Sequence, residues 1–194
     1  MATARSGLIT SALALALLAG CTPAQPTLAP PQPSPTCTPE GGGKAYPCSP
    51  YYYDQMVAKD KLYTEAEAVY RKYLAEDERI YRAGGVTQPT PVLLETTTGQ
   101  YLADSMRIYR DLHSRHSKAV GGEFKRAWFK RVPGESMAAS VVALKVCTDP
   151  STVRIGPNAA SSEPGVLAEE TGYFARVSGE LKLTMARTKV VTKC

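Results

Sequence analysis

The sequence lacks any apolar run long enough to cross a bilayer. Its one sustained apolar stretch near the N-terminus, residues 7–20, holds 14 residues, whereas a membrane helix needs roughly 20. No two cysteines stand in C-x2-C spacing, which removes the usual signature of a structural zinc site. No nucleophile elbow, phosphate-binding glycine loop or metalloprotease helix occurs. A strong charge of one sign is also missing: 23 Lys and Arg against 18 Asp and Glu leave a formal net charge of +5, too mild to argue for nucleic acid. Phenylalanine is scarce, three residues against eleven tyrosines, which favours a pocket or rim built from rings with polar tips. What is present is ordinary. An apolar content of 43% in 194 residues supports one cored domain with appendages.

Those appendages sit at the N-terminus. Arg5 supplies a short positive region, and residues 7–20 have the length of a signal-peptide core. Leu18, Ala19, Gly20 and Cys21 then resemble the lipobox of bacterial lipoproteins: Leu, a small residue, Gly or Ala, and Cys. The resemblance implies cleavage after residue 20, acylation of the Cys21 thiol, and export to the outer face of the cytoplasmic membrane. Nine of the fifteen prolines lie in residues 23–50. That composition cannot bury enough surface to offset the entropy of ordering it, so residues 21–50 read as a lipidated cysteine and tether.

In an oxidising compartment the four remaining cysteines read as disulfides. Cys37 with Cys48 would close a glycine-containing loop. Cys147 with Cys194 would tie a strand to the last residue of the chain. Three pairings are formally open.

Periodicity places the folded domain at residues 51–194. Thr64 and Glu67 match a capping box, from which a helix runs to Gly84-Gly85, with Val69, Tyr70, Tyr73, Leu74, Ile80 and Tyr81 along one stripe. Some helix is expected before it, in residues 51–62. Thr90-Pro91 opens a second helix. A third is expected over residues 100–120, ending at Gly121-Gly122, with Tyr101, Ser105, Ile108 and Leu112 on its apolar face. From residue 123 onward the pattern is β-rich, with a central strand expected at residues 138–146 and a tight hairpin at Ser178-Gly179. Helices first and strands afterwards predict an α+β domain, about three helices packed on a curved antiparallel sheet.

This order is similar to the cone-shaped nuclear transport factor 2-like fold, shared with ketosteroid isomerase and SnoaL-like families. Residues 141–149, "VVALKVCTD", and the cysteine after the last strand resemble small actinobacterial lipoproteins of that type. The last strand departs from their pattern in having no tryptophan. The resemblance implies a conical pocket, which some members use for catalysis with a carboxylate or histidine of tuned pKa. Here His113 and His116 read better as solvated residues near a helix end, and Asp149 as a turn residue before Pro150. No catalytic residue, metal ligand or cofactor is therefore expected.

The clearest charge feature is cationic. Arg107, Arg110, Arg115, Lys118, Lys125, Arg126, Lys130 and Arg131, interleaved with Trp128 and Phe129, face only Asp111 and Glu123 over residues 105–131. Outside a membrane such a patch would meet anionic head groups, wall polymers or an acidic protein rather than nucleic acid. The composite expectation is a membrane-anchored lipoprotein with a non-catalytic binding role at the cell envelope. Its partners are the membrane through the lipid, and an envelope protein, an anionic wall polymer or a small apolar ligand. The alternatives are a small-molecule pocket protein or SnoaL-like enzyme, and a prophage-type exclusion lipoprotein.

Overall fold

The computed structural model describes residues 33–158 and 160–194; the signal-peptide and Cys21 expectations lie outside the described residues. The first ordered feature is a small hairpin. Strands β1 (Thr36–Cys37) and β2 (Tyr46–Pro47) pair antiparallel and are closed by the Cys37–Cys48 disulfide. Thr38 N–H meets the Met56 sulfur at 3.1 Å, and the Tyr63 hydroxyl donates to Glu40, so the hairpin rests on the helix that follows. Composition assigned this stretch to the tether. The cross-link and the burial of Cys37 override that composition.

One helix, α1 (Pro50–Ala83), runs where two pieces were expected. Ser49 caps it, its side chain accepting from Tyr52 N–H, and Pro50 occupies the first turn where its missing N–H costs nothing. Thr64 therefore lies mid-helix and caps nothing; its hydroxyl bonds back to the Asp60 carbonyl at 3.0 Å. The apolar stripe is as the periodicity indicates, with Tyr70, Tyr73, Leu74 and Ile80 buried. Gly84 in the left-handed region ends the helix. At Gly85 (φ +82°) any Cβ would stand 2.1 Å from the Tyr109 carbonyl oxygen, so only glycine lets the chain turn this close to the next helix pair.

Thr90 caps α2 (Pro91–Thr96), as expected. The third helix, α3 (Gly99–Ser114), is shorter than its sequence pattern suggests. The chain leaves it through His116 at φ 52°, and residues 118–120 form strand β3 (Lys118–Val120), whose buried Ala119 pairs with Ile155. Tertiary pairing outweighs the helical period there.

Six further strands follow: β4 (Lys125–Arg131), β5 (Val142–Asp149), β6 (Arg154–Gly156), β7 (Glu163–Pro164), β8 (Ala168–Val177) and β9 (Glu180–Val190). They make a four-stranded antiparallel sheet in the order β4-β5-β8-β9, and, with β3, a three-stranded one in the order β3-β6-β7. β5 is central, but it starts at Val142. Ala138 and Ala139 take positive φ in a turn tied by Ser140. Ser178 and Gly179, both at positive φ, make the two-residue hairpin between β8 and β9.

The domain is α+β. One face of the large sheet carries Val142, Leu144, Val146, Phe174 and Leu183 into a core with Tyr70, Tyr73, Ile80, Leu93 and Tyr109. On the other face the Cys147–Cys194 disulfide pins the chain end across β5. Among the described residues no helix is long and apolar enough to cross a membrane.

Candidate functional site

Between α1, α3 and the inner face of the large sheet the core does not close. A cavity of about 450 Å³ remains. From α1 it is lined by Tyr73, Leu74, Asp77 and Tyr81; from α3 by Gln100, Tyr101, Asp104, Ser105 and Ile108. The sheet contributes Arg126, Val146, Thr148, Ala168, Glu170 and Thr188. The register explains why these meet: Val146 faces Glu170, and Glu170 faces Thr188, so one row across three strands points inward. Ile108 and Val166, exposed at 45% and 60%, stand at the rim, which accounts for two large apolar side chains left outside the core.

Two carboxylates dominate the lining. Glu170 Oε1 accepts from the Tyr70 hydroxyl at 2.5 Å and from Tyr101 at 2.9 Å, and its Oε2 accepts from Thr188 at 3.0 Å. Tyr70 reaches it because position 172 is glycine: a Cβ there would press on the Tyr70 ring at 3.2 Å and on Leu183 at 2.8 Å. Asp77 Oδ1 accepts from the Tyr109 hydroxyl at 2.7 Å. Tyr109 in turn lies 3.1 Å from the Tyr73 hydroxyl, itself 3.3 Å from Ser105 Oγ. Each hydroxyl carries one proton, so with Tyr109 donating to Asp77 the chain runs in one sense: Ser105 to Tyr73 to Tyr109 to Asp77.

The electrostatics follow from this packing. Burial, joined by the field of Glu170 and opposed by the Tyr109 hydrogen bond and Arg126, pushes the Asp77 carboxyl up to about 6. Burial first, and then the neighbouring carboxylate charge, raises Tyr70, Tyr101 and Tyr109 well above the ordinary tyrosine range. Those hydroxyls stay protonated donors. Arg126, the one cation lining the cavity among the described residues, is already engaged: it donates to Glu78 Oε2 at 2.7 Å, to the Leu74 carbonyl at 2.7 Å and to the Phe124 carbonyl. Although burial pulls the other way, hydrogen bonds from Arg126 and Arg82 hold the Glu78 carboxyl below its usual range. Among the described residues neither Asp77 nor Glu170 is ion-paired.

The cationic residues expected to share a patch are divided among several places. Arg107 pairs with Asp104 at 3.0 Å, Arg115 with Asp111, and Arg131 with Asp60 of α1. Arg110 donates to the Thr87 carbonyl at 3.2 Å, and Arg126 turns into the cavity wall. Lys118 and Lys125 stand exposed on β3 and at the start of β4. Lys130 covers the Trp128 ring at 4.1 Å on the outer face, where Trp128 Nε1–H donates to the Cys194 carbonyl at 3.2 Å. Carboxylates from other segments, Glu78 and Asp60, come to meet these cations, which the local count could not show.

His113 and His116 are both exposed. The first is in the last turn of α3 and the second past its end, so they share no helical face. Asp149 accepts from Ser151 N–H at 3.0 Å, an ordinary turn contact. Cys37–Cys48 and Cys147–Cys194 are the pairs formed. Among the described residues no group of three metal-ligating side chains occurs. Sequence reasoning missed Asp77 and Glu170. The signal was present in part: Asp77 interrupts the apolar stripe between Tyr73 and Ile80, and Glu170 shares an alternating face with Gly172 and Phe174. Comparison with known proteins finds no matching family model, no similar curated protein and no similar solved structure.

Proposed function

We propose that this chain is a lipid-anchored binding protein of the cell envelope, whose domain holds a small molecule in the cavity between its helices and its large sheet. The observation that carries the reading is the cavity itself. Its volume of about 450 Å³ lies in the range of roughly 300–1,000 Å³ typical of ligand sites. Its walls combine tyrosine rings with a few convergent polar groups, which is how such sites orient a ligand. The anchor half of the reading rests on Leu18, Ala19, Gly20 and Cys21 behind a signal-peptide core.

A catalytic reading has one specific observation in its favour. Asp77, pushed up to about 6, faces a cavity in which hydroxyl donors converge, and a carboxylate of that basicity suits proton transfer. Binding is preferred because Tyr109 already holds one Asp77 oxygen with an internal hydrogen bond, and Glu170, the carboxylate facing it, is itself held by the Tyr70, Tyr101 and Thr188 hydroxyls.

Native mass spectrometry of the chain extracted from its own envelope, before and after denaturation, tests the proposal. A small molecule that departs on unfolding is the expected result. An empty chain that no fraction of the small-molecule pool stabilises would overturn it. Conversion of the released compound by the protein would move the weight to catalysis.

A further inference from the structure

We propose that the cavity recognises an organic cation, an amine or quaternary ammonium group on a small molecule, held between the Asp77 and Glu170 carboxylates and the rings of Tyr73, Tyr81 and Tyr101. This rests on the reading that the cavity binds a small ligand, and it names the chemistry of that ligand.

The charge account of the lining carries the inference. Four charged groups contribute: Asp77, Asp104, Glu170 and Arg126. Two of them are satisfied by the protein. Arg126 is bound to Glu78 and to two carbonyls, and Asp104 to Gln100 and Arg107. The other two, Asp77 and Glu170, accept hydrogen bonds from hydroxyls alone among the described residues, Tyr109 on the first and Tyr70, Tyr101 and Thr188 on the second, while the already engaged Arg126 acts on Asp77 only through its field. Hydroxyls solvate a carboxylate without neutralising it. Inside a partly desolvated cavity the remaining charge is felt strongly, because the screening of water is reduced.

Other ligand classes fit worse. An anion would meet two carboxylates of its own sign. A wholly apolar molecule would strip water from both carboxylates and return nothing. A cation resolves both problems. Tyr73 and Tyr101, packed edge to face at 5.1 Å between centroids, line the cavity beside it, and aromatic rings attract ammonium groups. The apolar rim of Ile108 and Val166 suits the carbon portion of such a ligand.

The same geometry makes binding pH-dependent. Asp77 is faced by Tyr70, Tyr73, Tyr81 and Glu78 of α1, Tyr109 of α3, Arg126 of β4 and Glu170 of β8. With its carboxyl up at about 6, Asp77 is charged at neutral pH and mostly protonated at pH 5. A cation binds the charged form and loses that partner as the pH falls.

The test compares choline with 3,3-dimethyl-1-butanol, which has the same shape and no charge. Binding to the purified full chain is followed by calorimetry and by amide chemical shifts. Choline is expected to bind about tenfold or more tightly than the neutral alcohol. Because choline's own charge is fixed, any pH effect comes from the protein; its affinity is expected to fall about tenfold between pH 7.5 and pH 5. Asp77→Asn and Glu170→Gln should each weaken choline about tenfold and leave the alcohol unchanged, and Asp77→Asn should abolish the pH dependence. Equal binding of both probes, or no binding of choline at millimolar concentration, overturns the cation proposal. Mass spectrometry separates the two failures. Release of a neutral or anionic compound from the native chain sinks the cation and leaves the pocket, whereas an empty chain that also ignores both probes sinks both.

Discussion

A carboxyl group on the inward face of a helix is tolerated only to the degree that hydrogen bonds replace the water it loses. Asp77 has one such bond from Tyr109 and a neighbouring carboxylate that repels it. Its neutral form is therefore favoured in the folded state, with the carboxyl up at about 6 from an ordinary 3.8. Between those values the folded protein binds more protons than the unfolded chain, so this group's contribution to stability is full below pH 4 and is lost as the pH rises through 6. Asparagine has nearly the same shape, still accepts from Tyr109, and carries no charge. Asp77→Asn is thus expected to stabilise the fold by about 1–2 kcal/mol at pH 7.5, and by little at pH 4. Urea denaturation of both proteins at the two pH values measures the difference. Glu76, Glu78 and Asp149, whose carboxyls are held low, weaken both proteins alike in acid and cancel in the comparison. The same gain at both pH values would show that the charge on Asp77 is not what destabilises the fold.

At the scale of elements, the C-terminal disulfide joins the middle of the large sheet to the last residue of the chain. Cys147 is fully buried on β5, and its partner lies 47 positions later. Closing a loop of that size restricts the unfolded chain by about 3–4 kcal/mol. Cys194→Ser is expected to cost about that much stability, with a red shift in the emission of Trp128, which loses its contact with the Cys194 carbonyl. An unchanged denaturation midpoint would mean that residues 191–194 contribute nothing to the sheet. Much of this layer is legible in local pattern alone: the tyrosine stripe of α1, the Thr90 cap of α2 and the β8–β9 hairpin at Ser178-Gly179; the two cysteine pairs formed are one of the three pairings open to the sequence. Local pattern misleads where a stronger competitor meets it. Thr64 and Glu67 look like a helix start, but the Ser49 cap has already begun the helix fifteen residues earlier. Residues 118–120 continue a helical period, but Ala119 gains more by pairing with Ile155 than by another turn. The cavity carboxylates are hardest to read, because their pairing depends on which strands become neighbours. Nothing near Glu170 in sequence indicates Tyr70, a hundred residues away.

The proposed anchor and the proposed pocket act through different physics, and their independence can be tested. Residues 34–194 form one unit that includes the disulfide-closed hairpin on α1, so the connection to the proposed acylation site is shorter than composition implied. In sequence, residues 22–33 separate Cys21 from that unit. An acyl group contributes roughly 0.8 kcal/mol of membrane affinity per buried methylene, so two chains hold a protein to the bilayer with no help from its surface. Such an anchor would act apart from the cavity, whose walls among the described residues come from residues 73–188. Cys21→Ala is therefore expected to move the protein from the membrane pellet to the aqueous fraction and to remove the acyl mass, with an unchanged thermal midpoint and choline affinity. Retention in the membrane fraction after loss of the acyl mass, by a protein whose mass shows that residues 1–20 have been removed, would place the attachment on the folded domain. A fall in choline affinity would mean instead that the bilayer helps shape the cavity, and that anchor and pocket act as one device.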